Sequence, residues 1–317
     1  MKKTPSNILI LSLFIFILAG CTTNNLPYMK EETARRLASA AWMVERDVSS
    51  GALPLRVYER MHERRKPANI YISGEGGALG VSFNKAPENP VALHLATKDK
   101  ADNLAYIARP CHYIGAENCA QKYWGGAEYS EDVINAYSLV LDDMAKRYDI
   151  KGFNLIGYSG GATIAALLAD KRSDILSIRS VAGILDTDTY SAIHEKTAFE
   201  GPVNPSLIAV QIKDIPQFHF IGGKDEEVPP AVLHGYLQAT PPSNCIHNLM
   251  VQEATHDKGW VDKWPELLDL PLTCYMMTEK MTLPAGTEEL KTFEPDFGKA
   301  LKKNAKRKIS PEKPVKP

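Results

Sequence analysis

The 317-residue sequence predicts an α/β fold in which a mostly parallel β-sheet is covered by helices on both faces. From Asn69 onward, short apolar runs alternate with segments of helical periodicity, the pattern of repeated β-α-β units. Before that point, two alternating segments, Met43 to Val48 and Leu55 to Glu59, flank Ser49-Ser50-Gly51 and predict an antiparallel hairpin. We therefore expect one large domain that opens with a hairpin.

The other predicted elements follow in chain order, beginning with one helix before the hairpin. This helix is expected over Glu31 to Trp42, where alanine, leucine and arginine recur at helical spacing. The later strands are expected at Asn69 to Ser73, Leu104 to Ala108, Phe153 to Ile156, Ile178 to Ala182, Phe218 to Ile221 and His247 to Val251. The later helices are expected at Pro90 to Thr97, Glu131 to Tyr148, Ala162 to Lys171, Pro230 to Leu237 and Val261 to Leu268. The segment from Asp186 to Pro216 interrupts this alternation and is either a small cap or a long connection.

The first 20 residues have the features of an export signal. Two lysines at positions 2 and 3 precede an apolar run from Ile8 to Leu18, which is too short for an ordinary membrane span. The run ends in Leu18-Ala19-Gly20-Cys21, which resembles the lipobox of bacterial lipoproteins. That resemblance implies that Cys21 is lipidated, becomes the mature N-terminus and holds the chain on a membrane, and Thr22 after it favours the outer membrane facing the periplasm. The alternative is a secreted protein with an incidental cysteine.

Four regions are expected along the chain. Residues 1–20 form the signal peptide, 21–42 a tether and N-terminal helix, 43–280 the α/β domain, and 281–317 a basic, proline-containing tail that is predicted to be disordered. The stretch Lys299 to Pro317 contains seven lysines, Arg307 and one glutamate, and a segment with this net charge of +7 cannot form a packed core. Attraction of the tail to anionic head groups or cell-wall polymers is a secondary hypothesis.

The remaining cysteines fit an oxidising compartment. With Cys21 set aside, proximity favours disulfides between Cys111 and Cys119 and between Cys245 and Cys274, although spacing does not prove the pairing. A zinc site is not expected, because the chain has no C-x-x-C pair and no histidine pair at ligand spacing. Neither a cofactor nor a nucleic-acid partner is expected, and the formal net charge of the whole chain is only −1.

The pentapeptide Gly157-Tyr158-Ser159-Gly160-Gly161 is the first candidate for chemistry. It has the G-x-S-x-G pattern and stands between a predicted strand and a predicted helix. In this context the small neighbours allow a sharp turn that presents the serine away from the sheet, where it can act as a nucleophile. A glycine-rich turn with a surface serine is the commoner explanation of the bare pattern, but the strand before it and the helix after it favour the nucleophile.

A serine nucleophile needs a histidine base and an acid that orients it, expected in the order acid, then histidine, after later strands. Asp225 follows the predicted strand Phe218 to Ile221, and His256 follows His247 to Val251. Other acids remain open: Glu226 and Glu227 as solvated neighbours, and Asp186, whose simpler role is a helix N-cap. His219 and His247 lie inside predicted strands, and the other histidines, at positions 62, 94, 112, 194 and 234, follow no predicted strand.

An oxyanion hole is the third requirement, and it needs two backbone donors. The N–H of Gly160, directly after the serine, is one expected donor. The second is expected in Ser73-Gly74-Glu75-Gly76-Gly77, with the N–H of Glu75 preferred over that of Gly76. A dinucleotide-binding loop is a weaker interpretation of this stretch, because leucine stands at position 79 where G-x-G-x-x-G requires glycine.

With these parts in order, the chain resembles the α/β-hydrolase superfamily over about residues 43 to 275. More narrowly, Ala108-Arg109-Pro110-Cys111-His112-Tyr113, Tyr123-Trp124 and the G-Y-S-G-G pentapeptide resemble a group of bacterial envelope hydrolases that are often lipoproteins. This resemblance implies a fold and a nucleophile but not a substrate. Relatives often have an acidic residue where Ser73 stands, so the resemblance implies no role for that side chain.

These observations predict a hydrolase of small-molecule or lipid-like acyl substrates. Ester hydrolysis is the default for this fold, whereas peptidases and acyltransferases use the same triad. Trp124, Tyr158 and Trp260 are expected either to line an acyl pocket or to belong to the core. A non-catalytic lipoprotein scaffold is the rival from another class, and a thiol nucleophile at Cys111 or Cys119 is a weaker third hypothesis.

Overall fold

A computed structural model describes residues 27–50, 53–74, 86–114, 120–201, 203–274 and 283–290. Its strands are β1 (Val44–Ser50), β2 (Leu53–Met61), β3 (Ala68–Ile72), β4 (Asn103–Ile107), β5 (Phe153–Tyr158), β6 (Ile175–Val181), β7 (Gln217–Gly222), β8 (Ile246–Val251) and β9 (Thr287–Glu288). Its α-helices are α1 (Pro27–Ala40), α2 (Val91–Lys98), α3 (Glu131–Tyr148), α4 (Gly160–Lys171), α5 (Thr187–Ile193), α6 (Ala209–Ile212), α7 (Pro230–Ala239) and α8 (Trp264–Leu268). Short 3₁₀ helices occupy Gln121–Trp124 and Pro205–Ile208.

The nine strands of the described residues belong to one sheet in the order β1-β2-β4-β3-β5-β6-β7-β8-β9. The six strands from β4 to β8 in this order pair in parallel, while β1 and β2 form the opening antiparallel hairpin and β9 closes the other edge antiparallel to β8. The predicted α/β fold with a mostly parallel sheet is confirmed. Because the parallel strands point the same way, the segments that follow β3, β5, β7 and β8 converge on one edge of the sheet.

Helices cover both faces of the sheet, which accounts for the nearly continuous apolar runs of the central strands. On one face α3 and α4 pack over β2, β3 and β5, with Val140 and Ile164 among the fully buried side chains. On the other face α1, α2 and α8 enclose a second core that contains Tyr71 and Trp264. Among the described residues, no helix has both the length and the apolar character needed to cross a membrane.

The element boundaries depart from the predictions mainly at the two ends of the chain. Helix α1 begins at Pro27 rather than Glu31, within the stretch assigned to the tether, and it packs against α2 and β1. Proline is favoured in the first turn of a helix because its missing N–H has no partner there in any case. At the other end, Thr287–Glu288 lies beyond the predicted domain boundary at residue 280 and pairs with Met250 and Val251 as β9.

The connection between β6 and β7 contains a compact helical unit. It comprises α5, the 3₁₀ helix Pro205–Ile208 and α6, and these elements pack against α4 and α7. The Asn204 side chain joins the start of the 3₁₀ helix to the start of α5, since its amide donates to both Asp186 and Asp188. The segment is therefore a compact, well-packed helical connection that lies against α4 and α7.

Candidate active site

Ser159 lies on a sharp turn between β5 and α4. Its backbone has φ 52° and ψ −125°, a conformation that a residue with a Cβ rarely adopts. The turn is held in place because the Ser159 N–H donates to the Val181 carbonyl and its own carbonyl accepts from Ala162 and Ile184. Strain stored in this way at a strand-to-helix turn is a feature of nucleophilic serines.

Two glycines of the pentapeptide are required by close backbone contacts. A Cβ on Gly161 would lie 2.3 Å from the Ile72 carbonyl oxygen, and a Cβ on Gly157 would lie 2.5 Å from the Ala162 backbone. These distances are far below van der Waals contact, so α4 can approach β3 and β5 this closely only because positions 157 and 161 carry no side chain. The pattern therefore follows from local packing as well as from the chemistry of the serine.

The structure brings Ser159, His256 and Asp225 into one hydrogen-bonded chain, although they are separated by up to 97 residues. His256 Nε2 lies 3.1 Å from Ser159 Oγ, and His256 Nδ1 lies 3.0 Å from Asp225 Oδ2. A carboxylate can only accept, so Nδ1 carries the proton and Nε2 is left to accept from the serine hydroxyl. This is the arrangement in which a histidine acts as a general base toward serine.

Asp225 is oriented by its own loop. Its side chain is fully buried, and its Oδ1 accepts from the N–H groups of Glu227 and Val228 at 2.9 and 2.8 Å. These two donors use one carboxylate oxygen and leave the other to face His256. The loop after β7 therefore fixes both the position and the rotation of the carboxyl group.

The His256 backbone is anchored by two aromatic side chains whose role the sequence did not reveal. Both the Tyr158 hydroxyl and the Trp260 indole N–H donate to the His256 carbonyl, at 2.9 and 3.0 Å. Trp260 is fully buried, whereas the imidazole is 23% exposed. Tyr158 and Trp260 thus position the histidine, and the side chain of Trp124 lies outside the described part of the structure. The adjacency of Tyr158 to the serine was the only sequence signal for this role.

The expected oxyanion donors are only partly described. Gly160 is the first residue of α4, so its N–H lies at the positive end of a 12-residue helix beside Ser159. Gly74 is pressed against the serine, because a Cβ there would lie 2.8 Å from Ser159 Cβ. Glu75 and Gly76, the predicted second donors, lie outside the described residues, and their role stays a prediction. The hydroxyl of Ser73 accepts from Tyr106, whose pKa is raised to about 12 by burial.

The rival acids lie elsewhere or have other partners. Asp186 caps α5, with Oδ1 accepting from the N–H groups of Asp188 and Thr189. Glu226 is exposed. Glu227 accepts from the Tyr190 hydroxyl at 2.7 Å; burial raises its pKa, but this hydrogen bond and the charge of Lys196 lower it more, so the pKa falls overall. Of these acids only Asp225 is hydrogen-bonded to His256.

The rival histidines also have structural explanations. His219 is completely buried between Ser180 and Gln217, and burial lowers its pKa to about 3. His247 is hydrogen-bonded to the Thr273 carbonyl at the far edge of the sheet. Neither ring contacts Ser159.

The cysteine predictions have different outcomes. The disulfide between Cys245 and Cys274 is present and joins the start of β8 to the segment after α8. Cys111 is buried after β4, but Cys119 lies outside the described residues, so that pairing stays a prediction. Cys21 also lies outside them. Within the described ranges, no cluster of three or more histidine, cysteine or acidic side chains could hold a metal ion.

Comparison with known proteins gives matches at the level of structure alone. No model of a protein family matches the chain, and a search of curated proteins finds no relative. An esterase from Pyrococcus furiosus is 14% identical, with a TM-score of 0.52 over 73% of this chain and 89% of that one. Acylaminoacyl peptidase from Pyrococcus horikoshii is 12% identical, with a TM-score of 0.51 over 76% of this chain but only 43% of that one. An α/β serine hydrolase homologue from Coxiella burnetii is 18% identical, with a TM-score of 0.49 over 72% of this chain and 94% of that one.

The chain has the α/β-hydrolase fold. The serine turn follows β5, and the acid and histidine positions follow β7 and β8, in the chain order of that fold. Identities below 20% carry the likeness no further than the fold, so the chemistry must be argued from the site itself.

Proposed function

We propose that the protein is a serine hydrolase that cleaves acyl compounds, with an ester as the default substrate. The observation that carries the proposal is the continuous hydrogen-bonded chain from Ser159 through His256 to Asp225. Its nucleophile stands on a strained turn at the N-terminus of α4, and its acid is fully buried. A scaffold without catalytic function would have no use for this strain or for a buried carboxylate aimed at an imidazole.

The proposed reaction follows from these contacts. Ser159 Oγ attacks the substrate carbonyl as its proton passes to His256 Nε2, and Asp225 stabilises the imidazolium that forms. The negative oxygen of the tetrahedral intermediate develops near the Gly160 N–H, where the helix dipole also favours negative charge. His256 then protonates the leaving group, which departs and leaves the acyl group bound to Ser159 as an acyl-enzyme. A water molecule, deprotonated by His256, attacks the acyl-enzyme and releases the acid and the free serine.

Amide cleavage by a peptidase and acyl transfer to another acceptor are the two alternatives to ester hydrolysis, since both use the same triad. The proteins of similar structure include both an esterase and an acylaminoacyl peptidase, which agrees with one triad serving several leaving groups. Hydrolysis is favoured over acyl transfer because the imidazole is 23% exposed, so water can reach the acyl-enzyme. An ester is the default substrate because ester hydrolysis is the common reaction of this fold.

The nucleophile is tested by labelling the mature protein with a fluorophosphonate probe. We expect covalent labelling of the wild type and none of Ser159→Ala, since the probe needs an activated serine. The matched control is Ser191→Ala, which removes a buried serine of α5 outside the hydrogen-bonded chain and should be labelled like the wild type. Equal labelling of Ser159→Ala would refute the assignment, and no labelling of the wild type would favour the scaffold.

We also propose that the enzyme is a lipoprotein of the bacterial envelope, anchored through Cys21 and facing the periplasm from the outer membrane. The support is the sequence Leu18-Ala19-Gly20-Cys21 after a short apolar run. Mass spectrometry of the N-terminal peptide from the envelope fraction should find a diacylglyceryl group on Cys21. An unmodified N-terminus, or one generated by cleavage elsewhere, would refute the anchor without affecting the assignment of Ser159.

A further inference from the structure

Glu227 joins helix α5 to the acid loop, which is the segment 223–229 between β7 and α7. Its N–H donates to Asp225 Oδ1 at 2.9 Å, so it binds the carboxylate of the triad directly. Its carbonyl accepts from His194 Nε2 at 2.6 Å, and its Oε1 accepts from the Tyr190 hydroxyl at 2.7 Å. Tyr190 and His194 are four residues apart and therefore lie on the same side of the helix. The α5 segment thus holds both the backbone and the side chain of a residue that binds Asp225.

The contact between α5 and the acid loop is packed as well as hydrogen-bonded. Tyr190 and Val228 belong to one small apolar cluster, together with Ile184 and Val232, and are only 4% and 1% exposed. The Val228 N–H is the second donor to Asp225 Oδ1, at 2.8 Å. Each of the two donors to the triad acid is therefore fixed from the side of α5, one by hydrogen bonds and the other by apolar packing.

The Glu227 carboxylate is also part of a cluster of charges. Lys196 Nζ lies 2.7 Å from the Tyr190 hydroxyl and 3.7 Å from Glu227 Oε1. Burial raises the pKa of Glu227, whereas the hydrogen bond from Tyr190 lowers it. The positive charges that Lys196, His194 and His256 can carry lower it further, so the pKa falls overall. Because attraction between two charges acts on both partners, an ionised Glu227 also favours the charged form of His256.

We infer that α5 is a positioning element for the catalytic acid and that Glu227 is the residue through which it acts on Asp225. This inference rests on the proposed function. Two fixed donors on Oδ1 prevent rotation of the carboxyl group, so that Oδ2 stays 3.0 Å from His256 Nδ1. Release of the acid loop from α5 lets the carboxylate turn, and the imidazole then loses its alignment with Ser159. The helical connection between β6 and β7 therefore contributes to the chemical step without touching the reacting atoms.

The inference is tested by removing each donor from α5 and measuring hydrolysis of short-chain nitrophenyl esters. His194→Leu removes the donor to the Glu227 carbonyl, whereas His194→Gln keeps an N–H in its place. We expect His194→Leu to lower kcat about tenfold with little change in KM, and His194→Gln to retain at least half of kcat. Tyr190→Phe removes the donor to the Glu227 side chain and should lower kcat about fivefold. The matched control is Ser191→Ala on the same helix, a buried residue that is not one of these donors and should behave like the wild type.

A double-mutant cycle shows whether α5 acts through the acid. In the Asp225→Asn background, His194→Leu should lower kcat by no more than about twofold, because the imidazole is already held in the wrong tautomer. A further tenfold loss in that background would overturn the inference, since α5 would then act on substrate binding or on folding instead. An unchanged kcat of His194→Leu in the wild-type background, or a loss in His194→Gln as large as in His194→Leu, would overturn it as well.

The pH profile of kcat/KM provides a measurement that a loss of packing would not change. Glu227→Gln removes the negative charge but keeps an oxygen for the Tyr190 hydroxyl and both backbone bonds. Without that charge the imidazolium of His256 is less favoured, so the acid limb should move to lower pH by about half a pH unit. Glu226→Gln, which removes the exposed charge next to it, should move the limb much less. An equal shift in the two variants, or a shift to higher pH, would overturn the role of Glu227.

Failure of this inference is distinguishable from failure of the proposed function. If the fluorophosphonate probe labels Ser159 in the wild type but kcat does not depend on the donors of α5, only the positioning role is refuted. If the wild type is not labelled at all, the proposed function itself is refuted, and the kinetic comparison loses its basis.

Discussion

Replacement of Asp225 by asparagine tests the geometry of the site most directly. The N–H groups of Glu227 and Val228 both donate to Oδ1 of Asp225, so the oxygen of an asparagine amide must occupy that position. The NH₂ group of the amide then faces His256 Nδ1, which lies 3.0 Å from the other carboxylate oxygen in the wild type. Nδ1 must become an acceptor, and the imidazole proton moves to Nε2. The histidine is then held in the tautomer that cannot take the proton from Ser159.

The expected loss is about four orders of magnitude in kcat, or about 5 kcal/mol of transition-state stabilisation. KM and Tm should change little, because asparagine has nearly the same shape and keeps both backbone hydrogen bonds. The assay is hydrolysis of short-chain nitrophenyl esters, with thermal denaturation by circular dichroism as the folding control.

Two acidic residues provide matched controls for this variant. Asp186→Asn should retain nearly full activity, since asparagine caps a helix about as well as aspartate. Glu226→Gln removes an exposed charge next to Asp225 and should also be close to wild type. Retention of more than a tenth of kcat by Asp225→Asn, or a larger loss in Asp186→Asn, would refute the reasoning and point to another acid.

Three further predictions concern the scaffold. Gly161→Ala should destabilise the protein by about 2–3 kcal/mol in denaturant unfolding, because its Cβ would meet the Ile72 carbonyl at 2.3 Å; an unchanged midpoint would contradict the packing. Burial lowers the pKa of His219 to about 3, so the unfolded chain binds its proton near pH 6.5 while the folded one does not, and stability falls as the pH drops from about 6.5 to 3. His219→Asn should reduce the slope of the unfolding free energy against pH in that window by an amount that corresponds to close to one bound proton. An equal slope in the variant and the wild type would be evidence against a neutral buried imidazole. Cys274→Ser opens the disulfide to Cys245, which closes a loop with a sequence separation of 29, and should cost about 3.6 kcal/mol; wild-type stability would indicate that the bond does not form in solution.

The central part of the fold could be predicted because its signals are local. Helix α3 was expected at Glu131 to Tyr148 and is observed there, since Ser130 precedes two acidic residues and a regular apolar stripe. Strands β7 and β8 were located by apolar runs, and the polar residues after them indicated Asp225 and His256. The order of these residues was enough to anticipate that the sheet would bring them together.

Other features depend on contacts between distant residues, which no local pattern reveals. Strand β9 has only two residues and exists because β8 offers Met250 and Val251 as partners. The roles of Tyr158 and Trp260 depend on the path of the chain around the His256 carbonyl. In each case tertiary contacts decide the structure, whereas periodicity and propensity do not.

The strand order also fixes how far apart the two ends of the chain leave the domain. Helix α1 packs against β1 at one edge of the sheet, and β9 forms the opposite edge, with eight interstrand spacings between them. At about 4.8 Å per spacing, the two edges are about 38 Å apart. The first and last strands of the domain therefore lie at opposite edges of the sheet, and a circular permutant that connected β9 directly to β1 would need a linker of about 11 extended residues.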